Sequence, residues 1–234
     1  MQRGAERFGV ETRFAEVTGV ELAAVPKVIQ TSEGEVRARA VVLATGASPR
    51  EMGLPGEQEL RGRGVAYCAT CDGMMYRNKT VAVLGGGNSA VADALYLSKL
   101  CREVYLIHRR DTLRASKVYM DALKDSGIQI LWNSRAVELL RDKRVSGLIL
   151  EDVRTGARRE LACEGIFVAI GRVPDTELFR GQVELDEQGY ITGLPGVFAV
   201  GDVRTKPLRQ IVTATADGAT ASHFIEQYLM EENR

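Results

Sequence analysis

The sequence predicts an α/β protein, and three observations lead to that fold class. Apolar runs of strand length recur along the chain, and a glycine-rich turn joins one of them to a stretch with helical apolar spacing. The content of 45% hydrophobic residues is typical of a globular protein with a buried core. The length of 234 residues suits one large domain or two modest ones.

The composition argues against several classes of protein. The 31 Lys and Arg residues balance 31 Asp and Glu residues, so the surplus of positive charge that a general nucleic-acid-binding surface needs is absent. No apolar run approaches the roughly 20 residues of a membrane span. The first residues lack the apolar core of a signal peptide. We therefore expect a cytoplasmic protein that binds neither nucleic acid nor membrane.

The first part of the chain alternates between strands and turns. Strands are predicted within residues 10–17, 27–33 and 35–46, and the third ends in an apolar run over 40–44 that we expect to be buried. The segment 47–64 is rich in glycine and proline, which predicts a linker or hinge and not a core element.

A βαβ unit follows the linker. Residues 81–84 form a short apolar run, apolar residues then recur at helical spacing over 90–100, and a second apolar run covers 104–107. Strand, helix and strand in this order are typical of a parallel sheet with a crossover helix.

The turn that begins this helix fits the pattern G-x-G-x-x-G/A through Gly85, Gly87 and Ala90. Gly85 permits the tight turn, Gly87 lets the backbone approach a pyrophosphate, and the small Ala90 allows close packing of helix on strand. The helix N-terminus offers unpaired N–H groups to an anion. The pattern predicts a Rossmann-like dinucleotide site, and a purely structural glycine turn is the alternative.

The end of the second strand indicates which dinucleotide binds. An Asp or Glu about 20 residues beyond the glycines would bind the ribose hydroxyl of NAD. Here His108, Arg109 and Arg110 stand at that place, and Arg114 follows a turn later. Guanidinium groups suit a 2′-phosphate, so NADPH is the predicted cofactor. The alternative is a solvated basic rim.

Two of the four cysteines, Cys68 and Cys71, stand in a C-x-x-C spacing with Asp72 directly after them. A zinc site normally needs a second pair of ligands, and the remaining cysteines, Cys101 and Cys163, stand alone and are predicted to be packing residues. A redox-active pair and two inert thiols on a turn remain as interpretations. The spacing suits an internal disulfide, with Asp72 moving protons.

The rest of the chain continues the α/β pattern. One helix is predicted within 116–127, and strands are predicted within 128–133, 135–141, 144–156 and 158–171. A buried strand over 196–202 and a long helix over 208–233 complete the chain. Asp202, at the end of that strand, either hydrogen-bonds a ligand hydroxyl or caps a helix.

Several motifs, in this order, resemble those of the low-molecular-weight thioredoxin reductases, over almost the whole chain. They are ATG at 44–46, CATCDG at 68–73, GGGNSA at 85–90, HRRDTLRASK at 108–117, GVFAVGD at 196–202 and RQIVTATADGATAS at 209–222. The resemblance implies a two-nucleotide-binding-domain (Rossmann-like) flavoprotein fold, with the NADPH domain inserted in the FAD domain. Residues 1–52 and 174–234 would form a partial FAD-binding domain, and 53–173 would form the NADPH-binding domain with the C-x-x-C motif.

The resemblance also implies a redox path. Electrons would pass from NADPH to FAD, then to the Cys68–Cys71 disulfide and then to thioredoxin. Cys71 would face the flavin, Cys68 would attack the disulfide of thioredoxin, and Asp72 would serve as the acid for the thiols. Family members are dimers built largely through the FAD domain, so a homodimer is also expected.

Residue by residue, the resemblance assigns the cofactor contacts. The NADPH-binding residues would be Gly85, Gly87, Asn88, Ser89, Ala90, His108, Arg109, Arg110 and Arg114. The FAD-binding residues would be Thr45, Gly46, Gly201, Asp202, Arg209, Gln210 and Ile211. No metal ligands are implied.

The sequence departs from the family pattern in two places. It contains no second glycine fingerprint of the kind that holds the FAD pyrophosphate, and the link between Tyr190 and Gly201 is shorter than the family's. The chain is then a fragment, a minimal form that binds NADPH but little FAD, or one partner of a second polypeptide. An NADPH-binding redox module without activity of its own is the alternative function. In the truncated FAD domain, exposed apolar edges are expected.

Overall fold

The computed structural model describes residues 2–231, whose contacts divide the chain into two units. The first unit combines residues 1–48 with 173–234, and the second is the continuous segment 49–172. The helices are α1 Gln2–Glu6, α2 Ala69–Asp72, α3 Asn88–Ser98, α4 Lys117–Lys124 and α5 Ile211–Glu231. The last residues of the predicted C-terminal helix, 232 and 233, lie outside the described residues.

The strands, in chain order, are β1 Val17–Glu21, β2 Lys27–Thr31, β3 Gly34–Ala38, β4 Val41–Leu43, β5 Ala47–Pro49, β6 Val65–Ala66, β7 Thr80–Leu84, β8 Glu103–Ile107, β9 Gln129–Leu131, β10 Ser134–Arg141, β11 Val145–Asp152, β12 Arg158–Ala162, β13 Gly165–Val168, β14 Arg172–Pro174, β15 Glu184–Leu185, β16 Ile191–Gly193 and β17 Val197–Ala199. Short 3-10 turns lie at Gly73–Tyr76, Glu177–Phe179 and Gly201–Val203.

The second unit is built on a five-stranded parallel sheet with the order β6-β13-β7-β8-β9. Every residue of the central strand β7 is buried, because both faces of the sheet are covered. Val81 and Val83 belong to the cluster that includes α3, and Ala82 and Leu84 belong to the opposite cluster. The predicted βαβ unit is therefore confirmed as β7-α3-β8, and its turn lies at the carboxyl end of the central strand.

The opposite face of this sheet packs against the antiparallel sheet β10-β11-β12. Leu139, Leu148 and Leu150 from that sheet share a buried cluster with Ala82 and Leu84. The predicted strand over 158–171 is two strands, because the chain leaves the antiparallel sheet after Ala162 and enters the parallel sheet at Gly165.

The segment 47–64 is more than a linker. Leu60 is 2% exposed and packs in the same cluster as Leu84, and the carboxylate-bearing Glu57 is also 2% exposed. The prediction that no core element lies here was therefore wrong. Pro55, Gly56, Gly62 and Gly64 lie in turns, whereas Pro49 ends β5.

The first unit contains the antiparallel sheet β1-β2-β3 and the parallel pair β4–β17. Its core cluster joins residues distant in sequence, among them Leu22, Leu43, Phe179 and Val203. The parallel register aligns Val41 with Val197.

Two strand predictions in this unit were wrong. Residues 10–16 form no strand, and Val10 and Phe14 are 51% and 103% exposed, since no neighbouring strand pairs with them. The predicted strand over 35–46 breaks at residues 39–40, where the chain passes from β3 to β4 in a different sheet. Val42 is 45% exposed, so the expected burial of 40–44 holds only in part.

The long helix α5 has a mostly exposed surface. Only Ala221 is buried among its described side chains, and Ile211, Val212, Phe224 and Met230 are exposed. Apolar side chains are thus accessible on this helix. Within residues 2–231, no helix combines the length and the apolar character that a membrane crossing requires.

Candidate functional site

The C-x-x-C pair is oxidised to a disulfide between Cys68 and Cys71. Cys68 is the N-cap of α2, and its sulfur accepts a hydrogen bond from the backbone N–H of Cys71 at 3.2 Å. Cys68 is half-buried, whereas Cys71 is exposed. An internal disulfide matches the redox interpretation. Within residues 2–231, no group of three or more His, Cys, Asp or Glu side chains is placed to hold a metal ion.

The residues after the disulfide are accessible to a partner. Asp72 ends α2, and its backbone N–H donates to the carbonyl of Cys68 at 3.1 Å. Met74 and Met75 follow with 58% and 56% of their surface exposed. An apolar surface therefore flanks the redox pair, although sequence reasoning did not single out either methionine.

The two remaining cysteines are packing residues, as predicted. Burial raises the pKa of Cys101 to about 11 and that of Cys163 to about 12. Both thiols stay protonated near neutral pH, where a thiol is a poor nucleophile. Thiol chemistry in this chain is therefore confined to Cys68 and Cys71.

Each of the three glycines in the turn after β7 has a different structural role. Gly85 has φ +148°, and a Cβ there would lie 2.6 Å from the Cβ of Ala90. A Cβ on Gly86 would overlap the ring of His108, whereas one on Gly87 would meet nothing within 4 Å. The first two glycines thus fit the turn to its neighbours, and the third leaves the backbone open to an incoming ligand.

This turn borders a cavity of about 670 Å³ within the second unit. The predicted residues that line it are Gly85, Gly87, Asn88, Ser89, His108, Arg109 and Arg114. Ala90 and Arg110 are absent from the lining. Ala90 is fully buried against the turn, and Arg110 is exposed.

Other lining residues were missed by sequence reasoning. Arg50, Met52 and Leu54 come from the segment before β6, and Arg135 comes from the start of β10. No local motif marks them, because each reaches the cavity only through tertiary packing. Arg135 also donates to the carboxylate of Glu151 at 2.9 Å, which partly neutralises its charge.

The cationic side of the cavity comes from Arg109 and Arg114. The backbone N–H of Arg114 donates to the carbonyl of Gly86 at 2.7 Å, which ties the arginine loop to the glycine turn. Neither guanidinium has a carboxylate partner within residues 2–231. Both charges are therefore available to an anionic ligand.

The ring of His108 packs against the glycine turn. It is 6% exposed, and its Nε2 lies 2.9 Å from the carbonyl oxygen of Thr112. Burial lowers its pKa below the usual value. The ring is therefore neutral near pH 7, and it shapes the turn through packing against Gly86.

In the first unit, the predicted cofactor residues lie around the ends of β4 and β17. Thr45 Oγ1 donates to the carbonyl of Asp175 at 2.7 Å, and the carbonyl of Gly46 accepts from the Asp175 N–H at 3.0 Å. The N–H of Gly201 donates to the carboxylate of Asp217 at 2.9 Å.

Asp202 lies inside the short 3-10 turn after β17. The helix-cap interpretation of Asp202 was wrong, because Val200 is the N-cap of this turn and α5 begins only at Ile211.

The start of α5 presents the other three of these residues. The guanidinium of Arg209 lies over the ring of Tyr190, 4.0 Å from its centroid, and its buried Nε has no hydrogen-bond partner among the described residues. Gln210 is exposed, and Ile211 is 80% exposed.

Comparisons with known proteins agree with this architecture. The family model described as pyridine nucleotide-disulphide oxidoreductase matches residues 4–218. The chain is 44% identical to the thioredoxin reductase of Streptomyces clavuligerus, over 98% of this chain and 74% of the relative. It is 46% identical to that of Treponema pallidum, over 98% of this chain and 77% of the relative.

Solved structures give the same result. Thioredoxin reductase from Streptococcus pyogenes matches with a TM-score of 0.83 and 38% identity, over 98% of this chain and 78% of the other. The enzyme from Giardia duodenalis matches with a TM-score of 0.85 and 33% identity, over 98% and 79% respectively.

Proposed function

The chain belongs to the thioredoxin reductases of the pyridine nucleotide-disulphide oxidoreductase family, and on that premise we propose that it reduces the disulfide of thioredoxin with electrons from NADPH. The overall reaction converts NADPH, a proton and a disulfide into NADP⁺ and a dithiol. The observation that carries the proposal is the Cys68–Cys71 disulfide, which lies in the same unit as the glycine-turn cavity.

The cavity supports NADPH as the electron donor. The open backbone at Gly87 fits a pyrophosphate, and the N-terminus of α3 favours its negative charge. The guanidinium groups of Arg109 and Arg114 would bind the 2′-phosphate. His108 and Ala90 would act by supporting the turn.

The thiol chemistry follows from the position of Cys68 at the N-cap of α2. The N–H of Cys71 points at the Cys68 sulfur, and such a donor stabilises a thiolate after reduction. Cys68 would attack one sulfur of the thioredoxin disulfide and form a mixed disulfide. Cys71 would then displace the thioredoxin thiolate and restore the Cys68–Cys71 bond. Asp72 would take the proton of the attacking Cys71 thiol and pass it to the departing thiolate, and the proton that Cys68 loses would return through solvent to the first thioredoxin thiolate.

The family uses FAD between NADPH and the disulfide, and the first unit offers a partial fit to it. The buried, unpartnered Nε of Arg209 suits a hydrogen-bond acceptor, and exposed Ile211 suits an apolar ring. We propose that Thr45, Gly46, Gly201, Asp202 and Gln210 complete these contacts. A bound flavin supplies two-electron transfer between a nicotinamide and a disulfide. The homodimer and the cytoplasmic location remain predictions.

The experiment that tests the proposal compares cysteine variants in thioredoxin reduction. Cys71→Ser is expected to abolish NADPH-dependent reduction and to leave NADP⁺ binding unchanged, because the glycine-turn cavity does not include Cys71. Cys101→Ser is the matched control and is expected to keep full turnover. Retained turnover in Cys71→Ser would remove the disulfide from the reaction.

A further inference from the structure

A buried carboxylate is hydrogen-bonded both to the cavity wall and to the residue that precedes the redox pair. Glu57 is 2% exposed, and its two oxygens accept hydrogen bonds from the backbone N–H groups of Met52 at 2.9 Å, Gly53 at 2.8 Å and Leu54 at 3.4 Å. Its fourth donor is the hydroxyl of Tyr67 at 2.6 Å. Burying a carboxylate is costly unless its oxygens are hydrogen-bonded. The four donors therefore offset the cost of burying Glu57.

The donors to Glu57 come from two segments with different roles. Met52 and Leu54 line the nucleotide cavity, and Tyr67 directly precedes Cys68. The guanidinium of Arg61 lies over the ring of Tyr67, 5.2 Å from its centroid, and helps to hold it. Burial, followed by the bond to Glu57, raises the pKa of Tyr67 above its usual value. The hydroxyl therefore keeps its proton and remains a donor.

We propose that Glu57 is a positioning residue that fixes the start of the redox pair through Tyr67 and fixes the cavity wall through the backbone of residues 52–54. The proposal rests on the proposed function only in treating Cys68 and Cys71 as the reactive pair. In the reduced protein, the anchored Tyr67 restricts the backbone at Cys68 and keeps its sulfur near that of Cys71.

This restriction has a defined consequence for the disulfide. Two thiols that are held close together have a high effective concentration, which favours the closed disulfide over the open dithiol. Loss of the Tyr67–Glu57 bond lets the segment at Cys68 move more freely. The disulfide then becomes easier to reduce, although neither cysteine has changed.

The test measures the equilibrium between the Cys68–Cys71 disulfide and dithiothreitol. Two electrons and two protons pass from the dithiol reagent to the pair, and the reagent closes to its cyclic disulfide. Trapping with iodoacetamide and mass spectrometry gives the reduced fraction. For Tyr67→Phe we expect a shift towards the dithiol of about three- to tenfold, because only the part of the hydrogen bond's free energy that differs between the disulfide and the dithiol changes the equilibrium.

Two further variants separate positioning from general loss of structure. Glu57→Gln is expected to shift the equilibrium in the same direction and also to weaken NADP⁺ binding, because one uncharged oxygen then replaces the two carboxylate oxygens that accept from the four donors. Tyr67→Phe is expected to leave NADP⁺ binding within about twofold of wild type. The double variant is expected to shift the thiol equilibrium no further than Tyr67→Phe alone, because both changes act on the same Tyr67–Glu57 bond.

Tyr96→Phe is the matched control, since Tyr96 packs against Gly73 beside the redox pair but is not bonded to Glu57. An unchanged equilibrium in folded Tyr67→Phe would overturn the proposal, even if Glu57→Gln failed to fold. The dithiothreitol equilibrium needs neither thioredoxin nor flavin, so failure of the proposed function would appear separately, as lost turnover with the shift intact.

Discussion

At the residue scale, two arginines are expected to set the choice of nucleotide. Arg109 and Arg114 line the cavity without carboxylate partners within residues 2–231, and Arg110 beside them does not line it. The sequence predicted all three as ligands of a 2′-phosphate, and that assignment remains a prediction. Substitution of Arg110 therefore serves as an internal control for substitutions of Arg109 and Arg114.

The first prediction concerns these charges. Arg109→Gln and Arg114→Gln should each weaken NADP⁺ binding by about tenfold, since each removes one charge-assisted contact to the phosphate. Binding of NAD⁺ should change little, and Arg110→Gln should affect both nucleotides less. Calorimetric titration measures all eight affinities, wild type included. Equal losses for NADP⁺ and NAD⁺ would contradict the assignment.

The second prediction concerns the pH dependence of stability. Burial in α3 raises the pKa of Asp93 to about 6, although the charge of Arg172 opposes the shift. Because the folded pKa lies above the unfolded value, this residue contributes stability at low pH that is lost as the pH rises to about 6. Asp93→Asn should therefore raise the free energy of unfolding at about pH 8 by up to about 3 kcal/mol and leave it unchanged near pH 4.

Urea denaturation at the two pH values checks this result. Asp152→Asn is the control with the opposite sign, because backbone hydrogen bonds from Arg154 and Thr155 lower the pKa of Asp152. That variant should lose stability above the acid range. A stabilisation of Asp93→Asn that is equal at both pH values would exclude ionisation as its cause.

At the element scale, the turn from β7 to α3 both fits the helix to its neighbours and borders the nucleotide cavity. Sequence reasoning predicted the strand, the turn and the helix because all three lie in one continuous segment with strong periodicity. It did not predict that His108 packs against the turn, since that contact joins the ends of β7 and β8. Nor did it predict the hydrogen bonds of Glu57, which depend on how residues 52–67 fold back on themselves.

The third prediction separates the two roles of neighbouring glycines. Gly86→Ala should lower the free energy of unfolding by about 1–3 kcal/mol, because its Cβ would overlap the ring of His108. Gly87→Ala should stay within about 0.5 kcal/mol of wild type, since its Cβ would enter open space and its φ of −96° suits alanine. Thermal denaturation measures both effects.

Gly87→Ala, which should have the smaller effect on stability, should have a large effect on nucleotide affinity. The Gly87→Ala methyl group would occupy the space through which a pyrophosphate approaches, so its NADP⁺ affinity should fall by at least about tenfold. An alanine at 87 that leaves binding intact would show that the ligand does not approach the turn there.

At the scale of the whole molecule, the two units differ in how far sequence could predict them. The second unit is one continuous segment, and its glycine turn, its cysteine pair and most of its strands were found from local patterns, although the two-residue strand β6 was not predicted. The first unit joins two separated segments, and the pairing of Val41 with Val197 is not visible in either one alone. The strand predicted over 10–17 was wrong for the same reason, because a strand forms only where a partner edge is available.

A single trapping experiment shows whether electrons from NADPH reach Cys68 and Cys71. The purified protein, supplied with FAD, is incubated anaerobically with NADPH, trapped with iodoacetamide and mapped by mass spectrometry. Both cysteines should become alkylated in the presence of NADPH, and added thioredoxin disulfide should protect them again. A Cys68–Cys71 bond that stays intact while thioredoxin is reduced would contradict this expectation.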